Sequence, residues 1–162
     1  MAFAPFNEKF PDIGEDETRL LTVFDLPGVQ PGQYALLELY CDEPGCDCRR
    51  VLFTIHRIGS QNPEAVIGYG WESAEFYSKW LGRNSPTSAR QMQGPALNPL
   101  SFQSPMAPAL LQQMPLILQD ANYVERLKRH YWMFRAEIER GSGATGRRLP
   151  APKRKKTSRK LR

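Results

Sequence analysis

Tyr34-Ala-Leu-Leu-Glu-Leu-Tyr-Cys41, Asp42-Glu-Pro-Gly45 and Cys46-Asp-Cys-Arg-Arg-Val-Leu-Phe-Thr-Ile-His-Arg-Ile58 follow one another without a break. Two runs rich in β-branched, aromatic and leucine side chains flank a Pro-Gly pair. Proline at the second turn position and glycine at the third favour a type II turn, because glycine accepts the positive φ. The stretch predicts a β-hairpin, with strands over 34–41 and 48–58.

Outward from the hairpin, residues 19–24 read as a preceding strand, since Thr22, Val23 and Phe24 favour the pleat. Asp25-Leu-Pro-Gly-Val-Gln-Pro-Gly32 is turn chemistry twice over. After Gly59-Ser-Gln-Asn-Pro63, residues 65–71 read as a fourth strand, in which Gly68 and Gly70 point to a bulge or close packing. Ser73 caps a helix over 74–81 that Gly82 stops. Residues 83–104 are polar and proline-rich and read as a long surface loop. Ser104-Pro105 opens a helix to about Met114, ended or kinked by Pro115. Asp120 caps a last helix over 121–140, whose Val124, Leu127, Tyr131, Phe134 and Ile138 keep a buried three-four spacing. The expected fold is one α+β domain: a four-stranded antiparallel meander with about three helices on one face. The expected boundaries are an irregular N-terminal arm over 1–17, the domain over 18–140, and a flexible linker with a disordered basic tail over 141–162.

The hairpin holds every cysteine of the chain, Cys41, Cys46 and Cys48. If Pro44 and Gly45 are the central turn residues, Cys41 faces Cys48. Alternation along each strand then turns all three sulfurs to one side. Thiolates so gathered suit a soft metal, and zinc at a structural site takes four N or S ligands. His56 would lie about 26 Å from Cys48 along a continuous strand, at roughly 3.3 Å per residue. His130, on the edge of the last helix, is the expected fourth ligand. Glu43, Asp42, Asp47 and water are the alternatives. The same cysteines also admit an enzyme reading, through an open metal site or a reactive thiol, and a third reading as an interaction module with inert thiols. Arg50 belongs to the cysteine side of the strand and Arg49 to the other. Tyr69, Trp71, Phe76, Tyr77 and Trp80 read as packing of a helix on the sheet. Arg126, Lys128, Arg129 and Arg135 read as a solvated helix face.

Charge divides unevenly. Residues 147–162 carry nine Lys and Arg and no acid, whereas the other 146 residues carry 13 basic and 17 acidic side chains. The body is mildly acidic and the tail strongly basic. Lys153, Arg154, Lys155, Lys156, Arg159 and Lys160 have the composition of a non-specific polyanion binder, with nucleic acid the expected partner. No phosphate-loop, dinucleotide, zinc-protease or serine-hydrolase signature occurs. No segment approaches the roughly 20 apolar residues of a membrane span. The N-terminal residues lack the basic and apolar regions of a secretory signal, so a cytoplasmic setting with reduced thiols is expected.

Residues 40–51, with Ile67-Gly-Tyr-Gly-Trp-Glu72 and Tyr123-Val-Glu-Arg-Leu-Lys-Arg-His-Tyr131, resemble a group of small bacterial proteins sharing a Tyr-Cys-x4-Cys-x-Cys-Arg-Arg segment. The resemblance covers most of residues 10–138 and leaves out the tail. It implies a shared domain, and no activity, ligand or fold travels with it.

Overall fold

The longest strand, β3 (Gly32–Cys41), organises the sheet. In the computed structural model, which describes residues 2–82 and 84–143, β3 pairs antiparallel with β4 (Arg50–Arg57), and β4 with β5 (Ala65–Gly70). The other edge of β3 is shared end to end. β2 (Arg19–Val23) covers residues 32–36, and β1 (Phe3–Pro5) covers residues 39–41. A two-residue strand, β6 (Ala96–Leu97), adds to β5, giving a six-stranded sheet. The antiparallel α+β class is as expected, with two strands more than the meander predicted.

Alternation selects the buried face. Val51, Phe53 and Ile55 of β4 are buried while their neighbours are only partly so. They lie with Tyr34, Leu36, Glu38 and Tyr40 of β3 beneath the last helix, α6 (Ala121–Gly141). The Asp120 carboxylate accepts N–H bonds from Asn122 and Tyr123, which starts α6 where the sequence reading placed it. The buried face of α6 is Tyr123, Leu127, His130, Tyr131, Phe134 and Arg135. It is rotated from the predicted stripe: Val124 and Ile138 are only half-buried, and a histidine and an arginine lie inside. α5 (Ala107–Ile117) adds Leu110, Met114 and Ile117 to this core. α5 starts two residues later than the Ser104-Pro105 reading has it: its N-cap is Met106, without a side-chain cap bond, and Ser104 Oγ accepts the Met106 N–H in the preceding turn. Pro115 lies within the last turn, where it removes one backbone N–H from the helical ladder, and the helix runs only two residues past it, to Ile117.

Three expectations are corrected. Residues 3–17 are not irregular: after β1 come α1 (Phe6–Lys9) and α2 (Pro11–Glu17), and buried Phe6 stacks on Phe10 and on His130. Residues 83–104 are not all loop. Ser85 caps α4 (Pro86–Gln93), and β6 follows. With α3 (Ala74–Leu81) the helices among the described residues number six, and they do not share one face. Arg50 belongs to the strand set opposite α6, and its Nε donates to the carbonyl of Met92 in α4, 2.9 Å away. Glycine makes this second layer possible. A Cβ on Gly68 would meet the Arg50 guanidinium, and one on Gly70 the Tyr77 ring of α3. The close-packing reading of these glycines is the one realised.

Candidate metal centre

The turn forms as its sequence demands. The Cys46 N–H donates to the Glu43 carbonyl at 3.3 Å, and Gly45 has φ +73°. The strands, however, do not run to the tip. The ladder pairs Leu39 with Leu52, which would set Cys41 opposite Arg50 and not Cys48. Residues 42–49 are a loop, and Arg49 absorbs the extra chain at φ +48°, a left-handed conformation uncommon outside glycine. The ladder differs from the expected register by an even number of residues, so the strands keep their faces. The sulfurs converge through the loop.

That convergence is close. The sulfurs of Cys41, Cys46 and Cys48 all lie within 4.8 Å of one another. Cys41 and Cys48 are fully buried, and Cys46 is half-buried. All three are free cysteines. Their proton affinities are pulled apart. The Cys48 thiol shares its hydrogen with Cys41, which lowers Cys41 to about 6 against its burial, with help from the Glu43 backbone, Cys46 and the Arg135 charge. Hydrogen bonding from Cys48 lowers Cys46 as well. Cys48, bonded to Cys41 and Cys46 and enclosed, is pushed far above the usual thiol range. Cys48 thus keeps its proton between two sulfurs that hold theirs less tightly, and a thiophilic cation binding all three would displace it.

α6 holds the loop in shape. Buried Arg135 donates to the carbonyls of Cys41 and Glu43, each at 2.8 Å, and to Glu139 Oε1 at 2.6 Å. Glu139 Oε1 also accepts the Gly45 N–H at 2.7 Å. Tyr131 Oη accepts the Arg49 N–H at 3.1 Å, and the Tyr77 hydroxyl donates to the Arg49 carbonyl at 2.9 Å. From the N-terminal strand, the Ala2 carbonyl accepts the Asp42 N–H at 3.1 Å. A centre fixed this way has its ligands positioned before any ion arrives.

The other sequence candidates go elsewhere. His130 is not brought to the sulfurs. Its Nδ1 is 2.6 Å from Glu38 Oε2 and its Nε2 is 3.2 Å from Glu17 Oε2, so both ring nitrogens face carboxylates beneath Phe6. Tyr40 Oη, 2.8 Å from Glu38 Oε2, extends that chain into the core. His56 stays within β4, paired with Ala35, and burial lowers its pKa. Asp47 is taken by Arg49, bonded through both oxygens at 2.9 and 3.0 Å. Among the described residues no histidine or carboxylate joins the three sulfurs, and residues 144–162 contain none. Arg135, read from sequence as solvated, is 1% exposed. The predicted tail residues Lys153, Arg154, Lys155, Lys156, Arg159 and Lys160 lie outside the described residues.

No helix among the described residues is long and apolar enough to cross a membrane. Comparison with protein-family models, curated proteins and solved structures finds no match.

Proposed function

We propose that this protein is a binding module built on a structural zinc centre, with Cys41, Cys46 and Cys48 as thiolate ligands. The observation that carries the reading is the three-sulfur cluster held within 4.8 Å. Three thiolates are a soft donor set that suits zinc and excludes hard cations such as calcium and magnesium. The Arg135 guanidinium, bonded to the Cys41 carbonyl, offsets the negative charge of three thiolates around a divalent ion. Elemental analysis of the purified, reduced, full-length protein tests the reading. It predicts about one zinc per chain, loss of that zinc in Cys46→Ser, and a lower thermal midpoint after chelation. Metal-free protein whose midpoint ignores both zinc and chelator would rule it out.

The basic tail belongs to the same proposal. Nine cations without an acid over residues 147–162 support association with nucleic acid through phosphate neutralisation. The resemblance to small bacterial proteins stops short of this segment, so the tail is read as an addition to a shared cysteine domain, in a cytoplasmic setting where thiols stay reduced.

One observation favours the enzyme reading. Among the described residues three sulfurs converge and no histidine or carboxylate joins them, and a zinc ion with three protein ligands keeps a position for water or substrate. Cobalt-substituted protein separates the two. Visible bands that shift when thiocyanate is added mark an exchangeable position, and bands that stay fixed mark a closed one.

A further inference from the structure

Arg49 and Arg50 are neighbours with opposite situations. Arg49 is fully engaged, with Asp47 at 2.9 Å, Glu72 at 3.3 Å, and the rings of Phe76 and Trp132 beneath its guanidinium. Arg50 forms no ion pair among the described residues. Of its five N–H donors, Nε alone has a partner among the described residues, the Met92 carbonyl at 2.9 Å. Its guanidinium lies over Gly68, where a Cβ would come within 2.6 Å of Nη2. The glycine therefore clears the seat, and the carbonyl fixes the orientation.

Beside this seat is a cleft of about 230 Å³ lined by Arg50, Ser88, Gln91, Met92, Asn98 and Pro99. The lining is one cation and three neutral polar side chains, without a carboxylate. Ser88 Oγ accepts from Ser85 at 2.9 Å, which leaves its own O–H to donate. The Gln91 amide has no partner among the described residues, and Gln91 and Pro99 are exposed, so the cleft opens to solvent. Burial opposes the charge of this guanidinium, and apart from the influence of the nearby Cys48 sulfur it has no ion pair among the described residues; an anion would complete it, and its planar fork matches two oxygens of a carboxylate or phosphate. The volume is below the roughly 300–1,000 Å³ of ordinary ligand pockets, which suits a compact head group.

We propose that this cleft binds the oxyanion group, phosphate or carboxylate, of a small molecule, with Arg50 as the charged anchor and Ser88 and Gln91 as hydrogen-bond donors. None of the cysteines lines the cleft, although the Cys48 charge reaches Arg50, so the site is tested both with and without metal.

The test follows the side-chain amides of Gln91 and Asn98 and the methyl of Met92 by NMR in the reduced, full-length protein. Potassium phosphate, methyl phosphate and sodium acetate are titrated at ionic strength held constant with potassium chloride. The expected result is saturable movement of all three signals with one of these anions, and the better of phosphate and acetate assigns the head group. Arg50→Gln should weaken binding at least about tenfold, as expected for a lost charge-assisted bond. Gln91→Ala should weaken it severalfold without moving the thermal midpoint, and it decides the matter if Arg50→Gln does not fold. Saturation that persists in Cys46→Ser after chelation keeps the site separate from the zinc reading. Movement confined to residues 147–162, linear drift without saturation, or unchanged affinity in Gln91→Ala and Arg50→Gln would overturn the proposal.

Discussion

Arg135 is the side chain on which the cysteine loop depends most. Its guanidinium joins two loop carbonyls to Glu139, which in turn holds the Gly45 N–H. Arg135→Met leaves those carbonyls and a partly buried carboxylate without their cation. Breaking such a pair costs about 3–5 kcal/mol, so the variant should unfold at markedly lower urea and lose its zinc together. A denaturation curve matching the parent would show the clamp to be dispensable. Glu17 gives a pH prediction. Hydrogen bonding from Arg129 holds its carboxyl below the ordinary value of 4.5, against some burial, with His130 adding to the effect. A carboxyl whose folded pKa is depressed contributes stability above 4.5 that fades as pH falls through the folded value. In metal-free, reduced protein, Arg129→Ala should therefore flatten the loss of stability below about pH 4.5, leaving the difference between the two proteins greatest above it. Neither Arg135 nor His130 was legible as buried, because a three-four count of apolar residues cannot register a polar side chain placed inside by its partners. Cys41, Cys46 and Cys48 were legible, because proximity in sequence across a Pro-Gly turn limits how far apart they can lie.

At the scale of elements, long strongly patterned segments were readable and short ones were not. β3, β4, β5, α3 and α6 announce themselves through alternation, caps and apolar spacing, and the structure has them within a few residues. α4 carried the same signal that identified α5, a serine followed by proline at the first helical position. The prolines and glycines around it hid that signal. Ser85→Ala should lower stability by about 1 kcal/mol if the cap acts as ordinary caps do. β1, β6 and α1 are too short for any periodicity to emerge, and they exist because β3, β5 and α6 offer them surface. The second helical layer rests on glycine. Gly70→Ala places a methyl against the Tyr77 ring, and overpacking of this kind costs about 1–3 kcal/mol. A double-mutant cycle with Tyr77→Ala should return a large coupling energy; additive effects would mean that the layer shifts freely.

Over the whole molecule, charge is the feature sequence shows best. A body of 13 basic and 17 acidic side chains carries a segment of nine cations. If all nine engage duplex phosphates, at about −0.9 per contact, the logarithm of affinity should fall with that of salt at a slope of about −8. Deleting residues 147–162 should abolish retention on immobilised DNA while leaving the thermal midpoint in place. Retention that survives the deletion would move nucleic-acid binding to the body. The path of the chain has a practical outcome of its own. Because β1 runs along β3 and the Ala2 carbonyl meets the Asp42 N–H, next to Cys41, anything joined ahead of Ala2 starts at the cysteine loop, whose three sulfurs have no histidine or carboxylate beside them among the described residues. A polyhistidine affinity tag at that end would present imidazoles to the cluster and complete its coordination artificially. Metal content should therefore be measured on protein purified without one.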